Sequence, residues 1–160
     1  AKKDNIFSAD HIIKPVIDKI KQRLATYVYG VDIKTLENAV VKLLAERGLK
    51  IATAESCTAG LLSKRITDIP GSSKVFETGI TAYANDTKIK ILNVPQELIA
   101  AHGAVSQQVA RAMAEGVRDL SGADIGIGIT GIAGPGSDET DKPVGLVYVA
   151  LSDKDKTYAI

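Results

Sequence analysis

The 160-residue chain carries 20 Lys+Arg against 19 Asp+Glu, a net charge of +1, with 45% hydrophobic residues, one cysteine and no tryptophan. So even a charge balance argues against a protein that grips nucleic acid by neutralising phosphates, and no run approaches the roughly 18 apolar residues that a membrane span needs. A chain of this length buries about two-thirds of its unfolded surface and needs no metal staple; the lone Cys57 excludes an internal disulfide framework and suits a reducing cytoplasm.

Residues 1–29 read differently from the rest. The start, Ala1 to Asn5, is charged with no apolar core behind it, so no signal peptide is expected. Ala1 in place of Met points to processing or to an excised piece. Ile13, Val16, Ile17, Ile20, Leu24 and Tyr27 recur at helical steps opposite Lys14, Lys19 and Lys21, which predicts an amphipathic helix with Pro15 near its first turn. Two readings stand: a helix packed on its own domain, or the tail of a preceding one.

From residue 30 onward, helix and strand patterns alternate. Leu36, Val40, Leu43 and Leu44 mark a helix ending at Gly48, and residues 50–54 a strand. A helix is expected from Cys57 to Asp68, a strand from Val75 to Tyr83, a short helix from Asp86 to Leu92, and another opened by Pro95. Ser106 caps a strong helix with Val109, Met113, Val117 and Leu120 on its stripe and Gly122 at its end. In residues 125–130 isoleucine alternates with glycine, the mark of a buried strand with another element pressed close on the glycine side. A polar loop over 131–142, a strand over 144–151 and a final hairpin complete the chain. The alternation predicts a layered α/β/α domain with a mixed, mainly parallel sheet and an N-terminal helical extension.

Four segments could carry chemistry. Glu55-Ser56-Cys57-Thr58-Ala59-Gly60 lies at a strand-to-helix junction, where free N–H groups favour anions and ligands of open α/β sheets bind. An ordinary helix cap made by Ser56 or Thr58 is the simpler reading of the same residues. Thr130-Gly131-Ile132-Ala133-Gly134-Pro135-Gly136-Ser137 is a glycine-rich loop of a kind that cradles phosphate, or a plain connector; no Gly-Lys-Ser/Thr follows to make it a P-loop. Tyr83-Ala84-Asn85-Asp86-Thr87-Lys88 leaves a strand and opens a helix, and His102-Gly103-Ala104-Val105-Ser106 feeds another. No cluster has metal-ligand spacing. A Ser-His-Asp triad would need His102 by elimination, so a serine paired with a neutral lysine is the more natural hydrolytic candidate. Cys57 is the rival nucleophile, since a helix N-terminus lowers a thiol pKa.

Taken in order, and with Lys142-Pro143-Val144-Gly145, these segments resemble the C-terminal domain of the CinA family (competence/damage-inducible protein A) from about Gly30 to Ile160. The resemblance implies an amidohydrolase of pyridine-nucleotide salvage, needing no metal or cofactor, that converts nicotinamide mononucleotide to nicotinate mononucleotide and ammonia. It puts the nucleophile on Ser56, with Tyr83 and Lys88 beside it, and substrate contacts on Glu55, Cys57, Thr58, Ala59, Gly60, Asn85, Gly103, Ala104, Val105, Ser106, Thr130, Gly131, Ala133 and Gly134. It also implies a cytoplasmic homo-oligomer. Residues 1–29 would be a linker or tail after a molybdopterin-binding-like domain, and residues 30–160 a deamidase domain truncated at its C-terminal end. The alternative is a non-catalytic nucleotide-binding or assembly module of such a two-domain protein. Three departures stand out. Ala59 replaces the family's usual glycine and suits a helix start; Ser137-Asp138-Glu139 replaces further glycine; and an active-site arginine beyond the last strand has no counterpart in these residues.

Overall fold

The computed structural model describes residues 2–136 and 141–160; Ser137, Asp138 and Glu139 lie outside them. Two compact units, 1–39 and 40–160, divide inside the second helix. In the first, helix α1 (Lys2–Leu24) leads into a 3-10 turn at Ala25–Tyr27. Pro15 lies within α1 rather than in its first turn, because the helix begins well upstream of the apolar stripe. The missing proline N–H leaves the His11 carbonyl without its helical partner.

The second unit is built on a five-stranded sheet ordered β2-β1-β3-β4-β5. The strands are β1 (Ile51–Glu55), β2 (Phe76–Thr81), β3 (Ile125–Gly131), β4 (Val147–Ser152) and β5 (Thr157–Ala159). β1 pairs in parallel with both β2 and β3, while β4 runs antiparallel to β3 and β5 to β4, so four of the five strands share one direction. Helices α2 (Leu36–Arg47), α3 (Leu61–Thr67), α4 (Asn85–Leu92), α5 (Gln96–His102) and α6 (Gln107–Ser121) cover it. Among the described residues, no helix is long and apolar enough to cross a membrane.

Each face of β1 meets its own core, so all five of its residues are buried. On one face Ala52 and Ala54 pack with Val109, Met113 and Val117 of α6 and with Leu92 and Val94. On the other, Ile51, Ile127 and Ile129 pack with Val41, Leu44, Ile66 and Val75. Each of the larger side chains, valine, leucine, isoleucine and methionine, contributes about 1.5–3 kcal/mol on burial. The glycine side of β3 is where α6 presses closest: a methyl at Gly126 or Gly128 would run into the Ala114 or Ala110 carbonyl. Ser106 Oγ accepts the Val109 N–H at 3.3 Å, and Gly122 ends α6 at φ +68°. Three expected core positions are exposed instead, Leu36, Leu43 and Leu120. The buried stripe of α2 runs through Val41 and Leu44, and Leu120 falls in the last turn of α6.

The largest departure from the sequence pattern is at residues 57–60, which form a turn, so α3 starts at Leu61 rather than Cys57. Ala59 sits at φ +50° and Gly60 at φ +97°. A Cβ in the left-handed region is strained, so Ala59 does not start a helix but occupies a glycine's conformation. Ala59→Gly is expected to raise stability by about 0.5–1 kcal/mol, measured as a higher urea midpoint with an unchanged slope.

Candidate active site

The parallel pairing of β1 with β2 brings two chain segments to one end of the sheet. Glu55 is in register with Thr81, so Ser56 emerges beside Ala82 and Tyr83. The Ser56 N–H donates to the Ile129 carbonyl at 2.9 Å, which fixes Ser56 between β1 and β3. The chain then turns through Ala84 into α4, and the side chain of Lys88 reaches back to the strand ends. Its Nζ lies 3.1 Å from Ser56 Oγ, 2.9 Å from the Ala82 carbonyl and 3.0 Å from the Tyr83 carbonyl. Lys88 is 1% exposed and Ser56 7%.

No carboxylate pairs with Lys88 among the described residues, and the neighbouring Asp86 is held by Lys90 at 2.7 Å. Burial therefore pushes the Lys88 pKa below its ordinary value, with the Cys57 sulfur opposing as a lesser effect. Desolvation favours the uncharged amine. In that form two N–H bonds to the Ala82 and Tyr83 carbonyls leave the lone pair free to accept from the Ser56 hydroxyl, whereas an ammonium would donate to all three oxygens. Cys57 moves the other way from expectation. Burial pushes its thiol pKa up, and the Cys57 and Thr58 amides and Lys88 only partly offset this. The acidifying helix tip is not there, because α3 begins four residues later.

Glu55 points away from this pair. Its fully buried carboxylate accepts five hydrogen bonds, from Thr58 Oγ1 at 2.7 Å, the Gly60 amide at 3.2 Å, the Leu62 amide at 2.9 Å, and the Ser63 amide and hydroxyl at 2.8 and 2.6 Å. Burial would raise its pKa, but the bonds from Ser63, Thr58 and Leu62 outweigh it and hold the carboxyl below its usual range. An acid at the start of α3 also complements the helix dipole. Glu55 thus builds the turn that presents Ser56. The turn consumes the Gly60 amide, and the Ala59 amide bonds to the Ser56 carbonyl. That leaves the Cys57 and Thr58 amides without a hydrogen-bond acceptor among the described residues.

A cavity of about 450 Å³ opens over Ser56 and Lys88. Eleven of the candidate residues line it: Ser56, Cys57, Tyr83, Asn85, Lys88, Gly103, Ala104, Val105, Thr130, Gly131 and Ala133. Gly134 lines a smaller neighbouring cavity that shares Tyr83, Val105, Gly131 and Ala133 with it. Glu55, Thr58, Ala59, Gly60 and Ser106 line neither, and serve the turn and the α6 cap. Tyr83 contributes its carbonyl to Lys88, and the residue as a whole is 73% exposed. Ile99 of α5 also lines the cavity; one of several apolar residues in a short helix, it gave no signal in the sequence. His102 does not line it, so the histidine needed for a triad is elsewhere. Among the described residues, no group of three His, Cys, Asp or Glu side chains is placed to hold a metal.

Known proteins resemble this chain in sequence and fold. A CinA-like protein of Desulfovibrio desulfuricans is 55% identical over 95% of the chain, which spans only 36% of that protein's length. The solved structure of a competence/damage inducible protein, CihA, from Agrobacterium tumefaciens superposes with a TM-score of 0.76 at 39% identity, covering 83% of this chain and 81% of that one. A competence-damaged protein (CinA) superfamily structure from Escherichia coli gives 0.76 at 34% identity, covering 83% and 79%. The family model described as the CinA C-terminal domain matches residues 33–160, which include both β1 with its serine turn and the lysine of α4, and the chain belongs to that family.

Proposed function

We propose that the chain hydrolyses the carboxamide of nicotinamide mononucleotide, giving nicotinate mononucleotide and ammonia. The observation that carries this reading is the buried Ser56–Lys88 pair, 3.1 Å apart with no carboxylate partner for the lysine among the described residues. The cavity above it, at about 450 Å³, lies within the range of roughly 300–1,000 Å³ that holds small ligands.

Ser56 Oγ attacks the carboxamide carbon as its proton passes to Lys88 Nζ. The oxyanion so formed takes the Cys57 and Thr58 amides, each such donor being worth about 2.7–4 kcal/mol. The C–N bond then breaks, Lys88 returns its proton to the leaving nitrogen, and ammonia departs from an acyl ester on Ser56. Water attacks that ester with Lys88 again as base, and Ser56 is regenerated with release of nicotinate mononucleotide. The lysine needs no acidic partner to shuttle the proton, since desolvation alone favours its neutral form. The main-chain carbonyls of Ala82 and Tyr83 hold the amine in place, so the Tyr83 ring serves as cavity wall.

The test is ammonia release from nicotinamide mononucleotide by the full-length protein in metal-free buffer. One ammonia per nicotinate mononucleotide is expected. Binding of the nucleotide without turnover would replace this reading with that of a non-catalytic nucleotide-binding module.

A further inference from the structure

The wall of the cavity facing the Ser56–Lys88 pair is a loop, Gly103–Ser106, between α5 and α6. Every carbonyl from His102 to Val105 has a donor. Gly103 O accepts Ser106 Oγ at 2.9 Å, and Ala104 O accepts Thr130 Oγ1 at 2.9 Å. The other two, His102 O and Val105 O, accept one and the same group, Lys142 Nζ, at 2.9 and 2.7 Å. Lys142 comes from the returning limb of the β3–β4 loop, whose base is closed by Ile132 bonding to Leu146 and Gly145. The backbone is shaped for this ammonium: at Gly103, φ is +76° and a Cβ would approach Lys142 Nζ to 3.0 Å. Meanwhile the Ala104 and Val105 amides have no acceptor among the described residues.

We propose that Lys142 is a positioning residue for the ligand of this cavity. By bridging two carbonyls it locks the Gly103–Val105 wall at a set distance from the nucleophile. The inference rests on the amide-hydrolysis reading for its ligand, but the tether itself does not. Charge-assisted bonds are among the stronger ones available to such a loop. A positive charge also complements the carboxyl end of α5, from which His102 O projects. Lys142 does not line the cavity and does not touch Ser56 or Lys88, so its effect falls on binding rather than on proton transfer.

The experiment compares Lys142→Met and Lys142→Arg in the full-length protein, reading steady-state kinetics with nicotinamide mononucleotide and amide hydrogen exchange over residues 103–106. Lys142→Met is expected to raise KM about tenfold with kcat within about threefold, since the loss is of ground-state and transition-state binding alike. Exchange at Gly103, whose amide donates to the Ile99 carbonyl at 2.8 Å, should accelerate by about tenfold, the equivalent of one lost charge-assisted bond. Lys142→Arg, which can still donate to both carbonyls, should restore both readouts. Exchange unchanged in Lys142→Met overturns the tether. Faster exchange with an unchanged KM, or a fall in kcat at constant KM, overturns the positioning role while leaving the hydrolysis reading intact. Absence of ammonia release by the unsubstituted protein overturns both together.

Discussion

Ser56→Ala is expected to lower kcat for ammonia release by at least about 10⁴-fold, whereas Cys57→Ala should cost about tenfold or less. The two residues are neighbours in the same turn, and only geometry and protonation distinguish them. Ser56 Oγ has a buried amine within 3.1 Å to take its proton. The Cys57 thiol is pushed by burial toward its protonated, unreactive form, and α3 starts too late to stabilise a thiolate. What Cys57 does supply is its main-chain amide, which survives the substitution. Steady-state ammonia release by both variants checks this. Activity that persists in Ser56→Ala and dies in Cys57→Ala would assign the nucleophile to the thiol.

Lys88→Met should lower kcat by about 10³-fold or more at nearly constant KM. A lysine that instead held the phosphate as a point charge would show the reverse, a raised KM with kcat preserved. The same variant carries a signature in stability. The folded-state pKa of Lys88 is depressed, so between that value and the unfolded value of about 10.4 the unfolded chain binds more protons than the folded one. Stability of the unsubstituted protein therefore rises with pH across that window and carries the full burial penalty below it. The Met variant lacks this titration. Its stability relative to the unsubstituted protein should be highest at the low end of the window and decline as pH rises, in parallel urea melts at several pH values.

Much of this site was legible before any coordinates, because the chemistry sits where strands end and helices begin. The parallel strand pattern brought Ser56 and the Tyr83–Lys88 segment to one end of the sheet, and the Ile-Gly alternation in β3 announced the close approach of α6. What could not be read was the direction of individual side chains. Glu55 lies next to Ser56 in sequence but on the other side of the strand, and its carboxylate turns inward to five donors. That inward turn takes the Gly60, Leu62 and Ser63 amides, so the chain turns through residues 57–60 before α3 begins at Leu61, and Ala59 is left at a positive φ. Tyr83 read as a side chain with a role, yet it is its carbonyl that holds the lysine. Lys142 stood only as part of a motif; its tie to His102 and Val105 joins residues about 40 positions apart and leaves no local pattern.

The central claim is an uncharged lysine amine beside a serine hydroxyl, and titration of the Lys88 side chain tests it most directly. In protein carrying ¹³Cε-labelled lysine, with the Lys88 resonance assigned by its loss in Lys88→Met, the signal is followed from neutral to strongly alkaline pH. The account predicts a midpoint clearly below the ordinary lysine value of about 10.4, rising toward it when Ser56 and its surroundings are exposed by urea. A midpoint at or above the ordinary value in the folded protein would mean that Lys88 is an ammonium at the pH of catalysis and cannot take the serine proton.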